Sequence, residues 1–149
     1  MVDKISKRLR SGNMSRIRST NTSPEIAVRS FLYKQGFRFR LSGKINKKLF
    51  PKGILPGKPD IVLLKYKTVI FIHGCFWHHH PKCKRSFWPK SNREYWIPKI
   101  RNNMKRDRHN IKVLNKLGWN IEIIWECEVK NELILEDKIN NIKNYLLGE

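Results

Sequence analysis

Apolar residues along the chain follow two periods, and the switches between them mark out a set of elements. Ser23-Pro24-Glu25 reads as a helix start, with Ser23 as capping hydroxyl, proline in the first turn and an acid that suits the helix dipole. Val28, Phe31 and Leu32 then form an apolar stripe that Gly36 ends. Phe37, Phe39 and Leu41 alternate with Arg38 and Arg40, which predicts a strand with one wet face. A Gly/Pro/Lys-rich loop fills residues 42–58. Two short apolar runs, Ile61–Leu64 and Val69–Ile72, flank Lys65-Tyr66-Lys67-Thr68 and predict a hairpin of buried strands. A long helix is expected over Tyr95–Leu117, with Ile97, Ile100, Met104, Ile111 and Leu114 on one side and Gly118 as its stop. A strand over Trp119–Trp125 and an amphipathic helix over Leu133–Leu147 complete the chain. Strands bracketed by helices predict an α/β sandwich around one central mixed sheet. Residues 23–149 read as a single domain, preceded by a basic N-terminal arm over residues 1–22.

Charge narrows the function. The net charge is +20, and it is unevenly spread: residues 1–110 hold 27 Lys and Arg against five acids, while residues 111–149 hold five against seven. Self-repulsion on that scale is tolerated when an anionic partner faces it, and a polyphosphate backbone is the commonest such partner. No stretch approaches the roughly 20 apolar residues of a membrane helix, and the basic N-terminus lacks the apolar core of a signal peptide. A cytoplasmic, nucleoid-associated monomer that binds DNA and no membrane is the expectation. Three cysteines are an odd number, and in a reducing compartment they suit metal ligation better than disulfides.

Cys75, His80 and Cys83 fall within nine residues, and Cys127 lies just past the predicted strand at Trp119–Trp125. Three ligands from one knuckle and a fourth from a strand end make a closed, tetrahedral, structural zinc site that uses every cysteine. Spacing alone does not choose among His78, His79 and His80; ordinary buried thiols are the other account of Cys75 and Cys127, but His-His-His-Pro-Lys-Cys is an implausible core sequence. A closed site has no open position, which leaves catalysis to other residues.

Asp60 ends Pro56-Gly57-Lys58-Pro59-Asp60 at the mouth of a buried strand in a strongly positive field. It is placed to hold a divalent cation against a phosphate, although turns of this composition often contain an unremarkable aspartate. The hairpin returns His73 to the neighbourhood of Asp60, and His78 follows shortly after. Two imidazoles beside a metal-binding carboxylate can pass protons to and from water and a leaving oxygen at neutral pH. Asp107 on the long helix can orient a neighbour or pair with Arg106 or Arg108.

The run Phe71-Ile72-His73-Gly74-Cys75-Phe76-Trp77-His78-His79-His80, with Pro56-Gly57-Lys58-Pro59-Asp60 before it and Trp125-Glu126-Cys127 after it, resembles the very-short-patch mismatch repair endonucleases. Asn13-Met14-Ser15-Arg16-Ile17 and Arg106-Asp107-Arg108 resemble them too, and the likeness covers about residues 10–130. It implies a restriction-endonuclease-like fold and magnesium-dependent nicking of one strand beside a T:G mismatch, the product of 5-methylcytosine deamination. It assigns Asp60 to the magnesium ion, Glu25 to a role at that ion through water, His73 and His78 to catalysis, and Asp107 to the support of His73. Cys75, His80, Cys83 and Cys127 match the zinc set. Phe76, Trp77 and Trp96 match aromatics that enter the duplex, with core packing the other account of Trp96; Asn13, Met14 and Arg16 join the DNA-facing set. Mismatch-repair proteins and a DNA cytosine methyltransferase system are the implied partners. Ile72 replaces a threonine of the best-known pattern, the knuckle is one residue longer than its shortest form, and the Gly43–Leu55 loop is longer and more basic than expected. A related endonuclease acting on unmismatched or modified DNA, and a zinc-stabilised DNA-binding module without catalysis, are the competing readings.

Overall fold

The structure, a computed structural model, describes residues 22–147. The N-terminal arm, with Asn13, Met14 and Arg16, lies outside the described residues apart from Thr22. Helix α1 spans Ser23–Lys34, strand β1 Arg40–Leu41, β2 Ile61–Leu63, β3 Thr68–His73, helix α2 Arg93–Lys116, β4 Asn120–Trp125 and helix α3 Glu132–Leu147. The strands form one mixed sheet in the order β1-β2-β3-β4, antiparallel at the first two pairings and parallel at the third.

Alternation along β3 decides what each face of the sheet meets. Ile70 and Ile72 point to α1 and α3, where Val28, Leu32, Leu135, Ile139 and Ile142 close one core. Val69 and Phe71 point the other way, against Leu114 of α2, Trp119 and the loop residues Ile45 and Leu55. By the same parity His73 faces α2. The parallel β3–β4 register sets His73 opposite Trp125, so both reach the same end of the sheet.

Three expectations change in detail. The helix cap is Thr22, which accepts from the Glu25 N–H at 3.4 Å, and Ser23 is the first helical residue. Phe37, Phe39 and Leu41 do turn inward, yet only Arg40 and Leu41 pair with β2. Burial of Phe37 against Tyr66, ring centroids 5.3 Å apart, produces the alternation without a ladder. In α2 the fully packed positions are Trp96, Ile100 and Leu114, with Ile97 only half-buried, because the helix begins at Arg93 and Trp96 turns to the interior. Among the described residues no helix is long and apolar enough to cross a membrane.

Candidate active site and metal centre

Asp60 arrives through a loop that runs close to α2. Gly57 has φ +78°, and a Cβ there would meet the Asn110 side chain at 2.8 Å, so the close approach requires glycine. Beyond it, Asp60 Oδ2 accepts the Ile72 N–H at 2.7 Å, which pins the carboxylate across the hairpin beside the end of β3. Burial pushes the Asp60 pKa up to about 6; the Ile72 N–H opposes the shift, Glu25 adds to it, and His78 and Arg29 oppose it. Glu25, buried on α1, pairs with Arg29 at 3.2 Å and contributes to the field around Asp60.

His73 is 5% exposed at the end of β3. Its imidazole lies flat on that of His78, centroids 3.9 Å apart and planes 4° from parallel. Asp107, delivered by α2, accepts from His78 Nδ1 at 2.6 Å and stands 3.9 Å from His73 Nε2. The shorter contact therefore goes to His78, whereas the family resemblance made Asp107 the partner of His73. Desolvation, with the neighbouring His78, lowers the His73 pKa to about 4 despite Asp107, so this ring is neutral at physiological pH. His73, His78 and Asp107 offer ligand atoms within 4.8 Å of one another. Asp60 stands outside that tight group but within its electrostatic reach, through His78. A shallow cleft of about 180 Å³ opens over the pair, lined also by His79, Met104, Arg108 and Trp125.

The second cluster joins Cys75, His80, Cys83 and Cys127, whose ligand atoms also lie within 4.8 Å of one another. His80 Nδ1 is 3.7 Å from Cys75 Sγ and 3.4 Å from Cys127 Sγ, which singles out His80 from its two neighbours. His79 turns away with φ +51°, and this break in the backbone separates the roles of adjacent histidines. Burial raises the Cys75 and Cys127 pKa values, while the Arg85 N–H lowers that of Cys83; His80 is lowered by burial. Three thiols and a neutral imidazole suit a borderline or soft metal ion. The turn that carries Cys127 is itself fixed: Glu126 accepts the Cys75 N–H at 3.1 Å, and Glu128 accepts the Trp125 N–H and pairs with Lys138 of α3 at 2.8 Å.

Beside the cleft, Phe76, Trp77 and Trp96 interlock with centroids 5.5–5.6 Å apart. Phe76 and Trp77 are half-buried, and Trp96 is only 5% exposed, wedged behind them. Asn103 donates to the Trp77 carbonyl at 3.0 Å and fixes that corner to α2. Further along, the His79 ring packs against Trp88 with centroids 4.4 Å apart and planes tilted by 31°, and the Arg101 guanidinium lies over Trp88 at 5.8 Å. Sequence reasoning missed roles for Glu126, Glu128, Asn103, Trp88 and Arg101; apart from the local bond of Glu128 to the Trp125 N–H, each acts on a partner nine or more residues away, and local spacing carries no trace of it.

A braced imidazole pair thus stands beside a half-buried carboxylate, on a strongly basic α/β frame with a separate thiol cluster. The family model described as DNA mismatch endonuclease Vsr matches residues 2–85, and the chain belongs to that family. It is 45% identical over 142 residues to the type II nicking enzyme V.NmeAIP of Neisseria meningitidis, covering 95% of this chain and 94% of that one. The type II nicking enzyme V.XorIIP of Xanthomonas oryzae is 42% identical over 142 residues, covering 95% and 97%. The DNA mismatch endonuclease Vsr of Escherichia coli is 38% identical over 151 residues, covering 100% and 90%. The protein is thus a DNA mismatch endonuclease, a hydrolase of DNA repair.

Proposed function

We propose that residues 23–149 act as one endonuclease domain, related in fold to restriction endonucleases, that nicks one strand of DNA beside a T:G mismatch left by 5-methylcytosine deamination. The observation that carries this reading is the stacked His73–His78 pair, braced by Asp107 next to the half-buried Asp60. Asp60 fits a magnesium ion: its carboxyl is hard to ionise when buried, which is the condition a divalent cation relieves. Such an ion supplies charge neutralisation at the scissile phosphate and acidifies the attacking water. Glu25 shares the field around Asp60 and is suited to holding a water at that ion.

His73, neutral at physiological pH, packs behind His78 and holds its ring in place. His78, the less buried of the two, presents Nδ1 to Asp107 at 2.6 Å, which orients it to serve the attacking water or the leaving oxygen. The duplex is gripped by the basic surface, with Phe76 and Trp77 presented to the mismatched step and Trp96 backing them. Opening a base step costs a few kcal/mol, least at a mismatch.

The thiol cluster fits zinc. Tetrahedral Zn–S and Zn–N bonds place sulfur and nitrogen about 3.5 Å apart, and the observed separations are 3.7 and 3.4 Å. With four protein ligands the site is closed and structural. The mismatch specificity fits the name of the Escherichia coli relative, and a cytosine methyltransferase and mismatch-repair proteins are the partners such a role calls for. The test is a nicking assay with magnesium on matched pairs of T:G and T:A duplexes. Single-strand cutting confined to T:G is expected, and equal cutting of both would reject the proposal. Asp60→Ala should abolish cutting and leave duplex binding intact.

A further inference from the structure

We infer that His79, Trp88 and Arg101 form a packed ladder whose purpose is to hold the Arg101 guanidinium on a DNA phosphate beside the nicked bond. The inference rests on the reading that the histidine cleft receives duplex DNA. Three observations support it. His79 lines the cleft together with His73 and His78, so the ladder starts at the active site. Its backbone adopts φ +51° and its buried Nδ1 has no hydrogen-bond partner, two unfavourable features in one residue. What they achieve locally is a ring packed against Trp88, centroids 4.4 Å apart and planes tilted by 31°. Trp88 remains 38% exposed, and the exposed Arg101 lies over it at 5.8 Å.

An arginine on an open helix face ordinarily samples many rotamers and loses that freedom when it binds. An indole beneath the guanidinium removes part of the loss in advance and leaves the planar N–H fork free for phosphate oxygens. Arg101, Lys105 and Arg108 recur at i, i+4 and i+7 on α2, a row about 10 Å long. Arg108 lines the cleft at its inner end, and Arg101 ends the row where the ladder fixes it. Trp88 is accordingly a positioning residue, and Arg101 the group that touches DNA.

The test uses the full-length, zinc-loaded protein and a fluorescent T:G duplex, with binding measured in calcium over a salt series and nicking measured in magnesium. Arg101→Gln should weaken binding roughly tenfold and make the slope of log K against log salt shallower by about one. It should raise KM while leaving kcat nearly unchanged. Trp88→Ala should weaken binding about two- to fivefold, Trp88→Phe should restore most of that, and Trp88→Ala/Arg101→Gln should bind no more weakly than Arg101→Gln alone. An unchanged slope in Arg101→Gln overturns the clamp even if Trp88→Ala misfolds, since Arg101 is an exposed side chain; additive losses in a double variant that keeps the wild-type melting temperature overturn it as well. Wild-type protein that does not bind the duplex overturns the functional reading, and the clamp with it.

Discussion

Asp60 and His73 are each held away from their charged forms by the same cause, burial at the end of the hairpin, and the two effects run in opposite directions with pH. The Asp60 pKa rises from 3.8 to about 6 on folding, so the metal-free protein loses stability as pH climbs through that range. The His73 pKa falls from 6.5 to about 4, so its contribution is present above 6.5 and is lost as pH drops toward 4. Asp60→Asn should therefore stabilise the metal-free protein at pH 7.5 by roughly 1–3 kcal/mol, measured by urea unfolding in EDTA. The same variant should lose all stabilisation by magnesium. In the wild type, magnesium-dependent nicking should climb steeply between pH 5 and about 7, as Asp60 ionises. Asp107→Asn keeps the shape of the brace and removes its charge; a loss in kcat of about 10²-fold or more with little change in KM is expected in single-turnover assays.

Elements set these residues in place, and here the sequence was informative in some segments and silent in others. The hairpin at 61–72 was legible because both strands are buried on both faces and a polar turn separates them. The pairing of β1 was not, because a run that alternates buried and exposed residues looks the same whether or not a neighbour completes the ladder. The predicted hairpin returned His73 to the neighbourhood of Asp60, but no spacing could choose His80 over His78 and His79 or show that Asp107 sits closer to His78. That depends on how α2 crosses the sheet. The loop ahead of Asp60 carries a clear prediction. Gly57→Ala puts a methyl group 2.8 Å from Asn110 at φ +78°, and should cost about 1–3 kcal/mol in thermal or urea unfolding and lower nicking with it. Asn110→Ala in the same chain should recover only part of the loss, because the backbone strain stays.

At the scale of the whole molecule, positive charge and metal ligation act together. With 27 basic residues in the first 110, the protein works against its own repulsion, and a tetrahedral ion held by the thiol cluster would tie the 74–83 segment to the end of β4 and offset some of that. Stripping this ion with a strong chelator, or substituting Cys127→Ser, should lower the melting temperature by 10 °C or more, on the order of the several kcal/mol such ions supply. Thiol reactivity of Cys75 should rise in parallel; an unchanged melting point would show that the cluster holds nothing structural.

One indole joins the two clusters. Trp125 lies parallel to His80 at 4.2 Å and presents its edge to His73 at 5.2 Å, a consequence of the parallel register that faces residue 73 with residue 125. A designer who wished to transplant the histidine pair into another scaffold would have to carry the thiol knuckle along, because the same side chain shelves both. Loss of the bound ion through oxidation of the cysteines would for the same reason silence cutting at a distance, without any change to a group that meets the substrate.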